Sequence, residues 1–294
     1  MLPTPTPHPY SIPFPAHNLS ITESFVARLF DEAGIPAFIW AEPAISILGY
    51  PAESIFSGWI IPDPHLPHAT TLLLQSHFPL CGDIRGCKTH KATSWCPVPD
   101  AHFHAAGAGR VNILNLYAKS RLFGSFPDPP LGRPHPRDEY YMVTSDSRIP
   151  TAEEFFRGWT VSSRGRQSER LYPVKMLRGG RYVEGVVRLR LRLRGRRVQG
   201  GEGEEEEGLV MGEFERWGRE LDWLGRMCVD ERNGGLGFED IEEPFRGFVR
   251  GRVELGVEEG EGVVGERDEL GLEVLRERLM WRDRVLEALG RGVS

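Results

Sequence analysis

Between residues 20 and 81 the chain is interrupted so often by glycine and proline that no long regular element can form. Gly34, Pro36, Gly49, Pro51, Pro62 and Pro64 divide the stretch into short pieces, since proline offers no amide donor and glycine readily ends a helix. The pieces alternate in kind. Ile21, Phe25, Leu29 and Phe30 recur on one helical face, after Ser20 and Glu23 at capping-box spacing. Residues 37–41, Ala-Phe-Ile-Trp-Ala, form an apolar run that reads as a buried strand. A short helix over 44–48, a strand over 57–61 and a helix over 68–77 follow, the last offering Leu72, Leu73 and Leu74 for burial. Residues 78–81 read as a third strand.

Further on, residues 101–105 and 111–117 predict paired strands about the glycines at 107 and 109. Another strand is expected over 140–144. Residues 186–194 read Val-Val-Arg-Leu-Arg-Leu-Arg-Leu-Arg, which alternates as a strand does. Tyr182, Val186, Leu189 and Leu193 also fit a helix, so both readings stand there. Phe214, Trp217, Leu221, Leu224 and Cys228 predict an amphipathic helix, and 266–289 predict another. The expected architecture is α+β: a mixed β-sheet flanked by helices, with a helical C-terminal region. Its expected parts are a proline-rich disordered tail (1–16), an α+β domain (17–194), a low-complexity linker (195–211) and a helical region (212–294) packing on the same domain.

Charge separates these parts. Residues 1–150 carry 10 basic and 12 acidic side chains, residues 151–200 carry 13 and 4, and residues 201–294 carry 13 and 26. The net charge of −6 is therefore a cancellation. Opposite charges on the basic middle and acidic end lower self-repulsion if they face one another. The alternative partner for the basic segment 157–197 is nucleic acid, through Arg188, Arg190 and Arg192. No apolar run approaches the roughly 18 residues of a membrane span, so no membrane partner is expected. The N-terminus shows no basic and apolar secretory pattern, and four cysteines are too few for a disulfide scaffold. An intracellular setting, cytoplasmic or nuclear, is expected.

All nine histidines and three of the four cysteines precede residue 136, so a polar site is to be sought in the first half. Cys81, Cys87, His90, Cys96, His102 and His104 raise the question of zinc, which takes four N/S ligands in a tetrahedron. Cys87 and His90 form the single close pair among the first four, and the metal candidates are Cys87, His90 and Cys96. Because the usual paired spacing is missing, the expectation is a loop with thiols and no metal cofactor. His102 and His104 fall on one face of a strand, with Phe103 on the other. Together with Asp100 they suit metal binding or proton transfer. Glu42, after a buried strand, is a candidate acid or base, or else a charge at the start of the next helix. Asp63 stands between two prolines, and Lys119 and Lys175 are candidate phosphate contacts.

The order of elements resembles the nucleotidyltransferase-like fold, closest to the minimal branch of the AbiEii-type toxins. There a strand ending in Gly-Gly or Gly-Ser leads into a short helix, the next strand carries Asp-x-Asp, and a later strand supplies a third carboxylate. The corresponding segments here are Phe38-Ile39-Trp40-Ala41-Glu42-Pro43-Ala44-Ile45, Ile55-Phe56-Ser57-Gly58-Trp59-Ile60-Ile61 and Arg110-Val111-Asn112-Ile113-Leu114. The Trp-x-Glu-Pro-Ala turn, Pro-Asp-Ala-His-Phe-His and Tyr-Pro-Val-Lys also resemble segments of a filamentous-fungal protein family of unassigned function. The resemblance spans roughly residues 20–190. It implies a sheet that binds nucleotide and divalent metal, yet no carboxylate stands at the family's positions. What it implies is a copy without catalysis that retains ligand or partner binding in a cleft of Glu42, Asp63, Asp100, His102, His104 and Asn112. The alternative is an active transferase using Mg²⁺ on displaced carboxylates.

Overall fold

The computed structural model describes residues 19–49, 56–84, 87, 97–107, 110–155, 164–198, 217–218, 220–221, 224–225, 241–243, 245–254, 272, 275–277 and 279. The expected tail, the stretch 199–211 and the positions of His90, Cys96, Phe214 and Cys228 lie outside them. The chain divides into two compact units, Met1–Arg121 with Asp128–Met176, and Leu122–Pro127 with Leu177–Ser294.

The first unit is α+β. Helix α1 (Leu19–Glu32) leads to β1 (Phe38–Trp40), α2 (Glu42–Ile47) and β2 (Phe56–Ile61). A 3₁₀ turn at Asp63–His65 opens into α3 (Leu66–Gln75). Then come β3 (Ala101–Gly107), β4 (Arg110–Ala118), α4 (Lys119–Phe123), β5 (Tyr141–Val143), α5 (Ala152–Phe155) and β6 (Lys175–Leu177). The six strands form one mixed sheet in the order β3-β4-β2-β1-β6-β5. The β1–β2 and β3–β4 pairs are antiparallel, whereas β2–β4 and β1–β6 are parallel. Every residue of β1 and β2 is buried, as expected of central strands covered on both faces. Trp59 meets Phe30 of α1 edge-on at 5.5 Å, and Trp40 meets Tyr117 of β4 at 5.1 Å.

The expected paired strands over 101–105 and 111–117 are β3 and β4. At the start of α1 the expectation fails. The helix already begins at Leu19 and Ile21 is exposed. Glu23 is fully buried, so it is drawn into the interior rather than reaching back as a capping-box partner. Its carboxylate accepts two bonds from Arg164 (2.9 and 2.5 Å) and one from Gln167 Nε2 at 2.9 Å. Arg164 also donates to Ser20 Oγ at 3.0 Å. A buried charge is stable only when paired and hydrogen-bonded, and this cluster fastens the 164–167 segment to α1.

In the second unit α6 (Gly179–Val198) settles the ambiguity at 182–194 as helix. Tyr182, Val186, Leu189 and Leu193 are buried on it. Gly185 lets the helix approach Phe123 closely, since a Cβ there would come within 2.5 Å of that ring. Trp217, Leu221, Leu224, Leu272, Leu275 and Leu279 are buried at the positions expected from helical spacing. Helix α7 runs from Phe245 to Glu254. No helix among the described residues is long and apolar enough to cross a membrane.

Candidate metal centre

The arrangement begins at the β3 edge of the sheet. Leu80 bridges to Phe103 in antiparallel sense, with Cys81 N–H donating to His102 O (2.7 Å) and His104 N–H donating to Pro79 O (3.0 Å). This adds a short strip of chain outside β3 and sets Cys81 opposite His102. On the other side His102 pairs with Asn115 of β4. Alternation puts His102 and His104 on one face, their rings 4.8 Å apart and nearly perpendicular.

Cys87 completes the group. Its Sγ lies 3.5 Å from His102 Nε2 and 3.5 Å from His104 Nε2. One ligand atom from each of Cys81, Cys87, His102 and His104 can be chosen so that all four lie within 4.8 Å of one another. His102 is fully buried and Nδ1 donates to Asn115 Oδ1 at 2.6 Å, which turns Nε2 toward Cys87 Sγ. Asn115 Nδ2 donates in turn to the Tyr117 hydroxyl at 3.3 Å. Cys81 and Cys87 are not in disulfides. Burial pushes the Cys81 thiol up, against the lowering effect of its bond to Asp83 O.

Cys81 stood among the six residues that raised the question of zinc but not among the three metal candidates, and Asn115, which no sequence signal singled out, supports the group through His102. His90 and Cys96 lie outside the described residues. Among those described, this is the one group of three or more His, Cys, Asp and Glu side chains close enough to share an ion.

The other proposed cleft residues are divided among different parts of the sheet. Trp40 pairs with Gly58, so the chain leaves β1 toward Glu42 at the end where β2 begins. Asn112 pairs with Ala105 beside the register of Phe56 with Ile113, at that same end. Asp63 follows the last residue of β2, about 17 Å away along a six-residue strand. Its carboxylate accepts from Ser120 N–H (3.0 Å) and Ser120 Oγ (2.5 Å), bonds that hold it below the usual carboxylate range. Asp100 joins it there, accepting from Ala118 N–H at 2.8 Å and pairing with Arg121 at 2.7 Å. Asp63 and Asp100 thus brace the start of α4, and Glu42 occupies the first turn of α2.

Among the candidate cations, Lys119, Lys175 and Arg188 are paired with carboxylates of the same chain. Lys119 pairs with Asp128 at 2.7 Å. Lys175 is buried against Asp31 at 2.5 Å; burial pulls its ammonium below the ordinary range while the Asp31 carboxylate opposes the shift. Tyr172 donates to the same carboxylate and is pushed up to about 12, by burial first and then by that bond. Arg188 bonds Glu184 at 2.8 Å and lies 5.3 Å from the Phe245 ring. Arg190 is buried beside Gly218, where a Cβ would come within 3.0 Å of the guanidinium. Arg192 is exposed. Helical geometry turns Arg190 away from Arg188 and Arg192, so the three do not form the continuous basic stripe a strand would present. Arg181 pairs with Glu184 (2.8 Å) and with Glu242 (2.6 Å), joining the basic segment to the acidic one within this unit.

Fold and site together define an α+β protein with a six-stranded mixed sheet and a Cys₂His₂ cluster on its β3 edge. No family model, curated protein or solved structure matches the chain.

Proposed function

We propose that the chain is a nucleotidyltransferase-like protein that has lost metal-dependent nucleotidyl transfer and acts by binding a ligand or partner inside the cell, in the cytoplasm or nucleus. One observation carries the reading. Ala41, between β1 and α2, has φ 58° and ψ −144°, a backbone region that is essentially glycine's. It immediately precedes Glu42-Pro43, which stand where the resembled family has its glycine turn. The neighbouring strands β1, β2 and β4 also bring the three compared segments to one end of the sheet.

The chemistry at that end argues against transfer. Phosphoryl and nucleotidyl transfer need carboxylates to hold divalent metal against the phosphates. Here Pro43 removes an amide donor beside Glu42, and Ser57, Gly58 and Trp59 occupy the second segment. Ser57 Oγ donates to Glu23 at 3.4 Å, and Trp59 is packed in the core. Residue 112 is an asparagine.

The test offers labelled nucleotides with Mg²⁺ or Mn²⁺ to the purified chain, reading incorporation into acceptors and the thermal shift. The expected result is no incorporation, with a shift from any nucleotide that still binds. Incorporation lost in Glu42→Gln or Asp63→Asn overturns the reading.

A further inference from the structure

We propose that Cys81, Cys87, His102 and His104 hold one structural Zn²⁺ ion that clips the 79–81 strip and Cys87 onto the outer edge of β3. This does not depend on the nucleotidyltransferase-like reading, and its test uses no nucleotide.

Geometry carries the inference. With Zn–S about 2.3 Å and Zn–N about 2.0 Å, the S···N edge of a tetrahedral site is about 3.5 Å. Cys87 Sγ stands 3.5 Å from both imidazole nitrogens. A thiol that donates to one ring and accepts an N–H from the other accounts for those two contacts alone, whereas one cation draws both nitrogens and both sulfurs to a common point. Cys81 lies within 4.8 Å of the other three ligand atoms, supplying the fourth ligand. Its place is set by the bond to His102 O rather than by proximity in sequence.

Asn115 is a second, independent sign. Histidines that bind metal usually give their other ring N–H to an oxygen, which fixes tautomer and orientation. Asn115 Oδ1 does this for the fully buried His102. The donor set chooses the ion: two sulfurs with two imidazoles suit zinc, while Mg²⁺ and Ca²⁺ require oxygen ligands. Four protein ligands leave no open position, so the site is structural rather than catalytic. Binding converts two thiols to thiolates, releases two protons and leaves the Zn(Cys)₂(His)₂ centre neutral, which suits the fully buried His102 and its half-buried partners. The ion thereby holds in place the 79–81 strip whose backbone pairs with the β3 edge.

A Cys–His nucleophile is the competing use of Cys87, His102 and Asn115. It leaves the convergence of Cys81 and His104 unexplained and places its base where no surface is exposed.

The test takes the full chain purified without chelator. Elemental analysis is expected to find one zinc per chain. X-ray absorption of the unmutated protein should show two sulfur and two nitrogen neighbours. Cobalt exchange should give the intense visible bands of a tetrahedral thiolate centre. Cys81→Ser and Cys87→Ser should each lose the metal, whereas His90→Ala and Cys96→Ser should keep it. The spectra of the unmutated chain decide the ligand set even if a cysteine variant fails to fold. A chain that neither carries zinc nor takes up Co²⁺ overturns the proposal. So do an oxygen-rich shell, metal retained by both cysteine variants, metal lost from the His90 or Cys96 variant, and rapid alkylation of Cys87 in zinc-loaded protein.

Discussion

His102 stands opposite Asn115 across the β3–β4 ladder, and the imidazole Nδ1 donates to the amide oxygen at 2.6 Å. The bond is buried, so it holds Nε2 toward the two cysteines in one tautomer. Asn115 is therefore a positioning residue. Asn115→Leu is expected to weaken zinc binding about 10- to 100-fold, the usual effect of removing such a support. Asn115→Asp, which keeps the acceptor, should restore most of the affinity. Competition against a chromophoric chelator measures both. Equal losses in the two variants, with unchanged cobalt spectra, would show that Asn115 serves packing alone.

Ala41 invites a comparison of two alanine-to-glycine substitutions. An L-residue at its dihedral angles carries strain of about 1–3 kcal/mol. Glycine relieves that strain, at the loss of about 0.8 kcal/mol for a buried methyl and about 0.5–1 kcal/mol of chain entropy. The terms nearly cancel. Ala41→Gly should leave unfolding free energy within about 1 kcal/mol of wild type, since strain relief offsets these two losses. Ala44→Gly, at an equally buried site within α2, has no strain to relieve and should lose about 1.5–2 kcal/mol. Urea denaturation of both variants makes the comparison, and equal losses would sink the assignment of strain to Ala41.

Glu23 has a stronger consequence because its side chain has no exposure, while that of Arg164 has 15%. Glu23→Gln keeps the shape but leaves a guanidinium facing an amide. Removing one partner of a buried pair costs about 3–5 kcal/mol, and the partial exposure of Arg164 favours the lower figure. The urea midpoint should fall with little change in slope. A loss below about 1 kcal/mol would show that solvent already satisfies Arg164.

Legibility in the sequence tracked the range over which each feature is determined. His102 and His104 share a face because strands alternate, and local spacing shows that. The order of short helices and strands from α1 to β4 likewise follows from Gly34, Pro36, Gly49, Pro62 and the apolar runs between them. Cys81 was legible as one of six thiols and imidazoles, but not as a partner of His102 and His104, because that depends on the Leu80–Phe103 bridge between segments separated in the chain. Asn115 depends on the β3–β4 register in the same way. The proposed grouping of Glu42 with Asp63 ignored strand direction, which sends the two to opposite ends of β2. At α6 the Arg-Leu alternation satisfies two periods, and the packing of Tyr182, Val186, Leu189 and Leu193 decides between them.

Asp63 predicts a dependence on acid. Its bonds to the Ser120 hydroxyl and amide hold its pKa below the usual value of 3.8, with the Lys119 charge adding a smaller effect. Folding therefore favours the carboxylate over the acid. The contribution is fully present above the unfolded-state value and disappears as pH falls through the lower folded value. Asp63 is exposed, so solvent screens the interaction and the change is small. Asp63→Asn should lower the melting temperature slightly at pH 7. Between about pH 5 and pH 3 the wild type should lose stability more steeply than the variant, so their melting temperatures converge. Thermal unfolding across that range supplies the measurement. Parallel curves would mean that the Asp63–Ser120 bonds do not distinguish the folded from the unfolded chain.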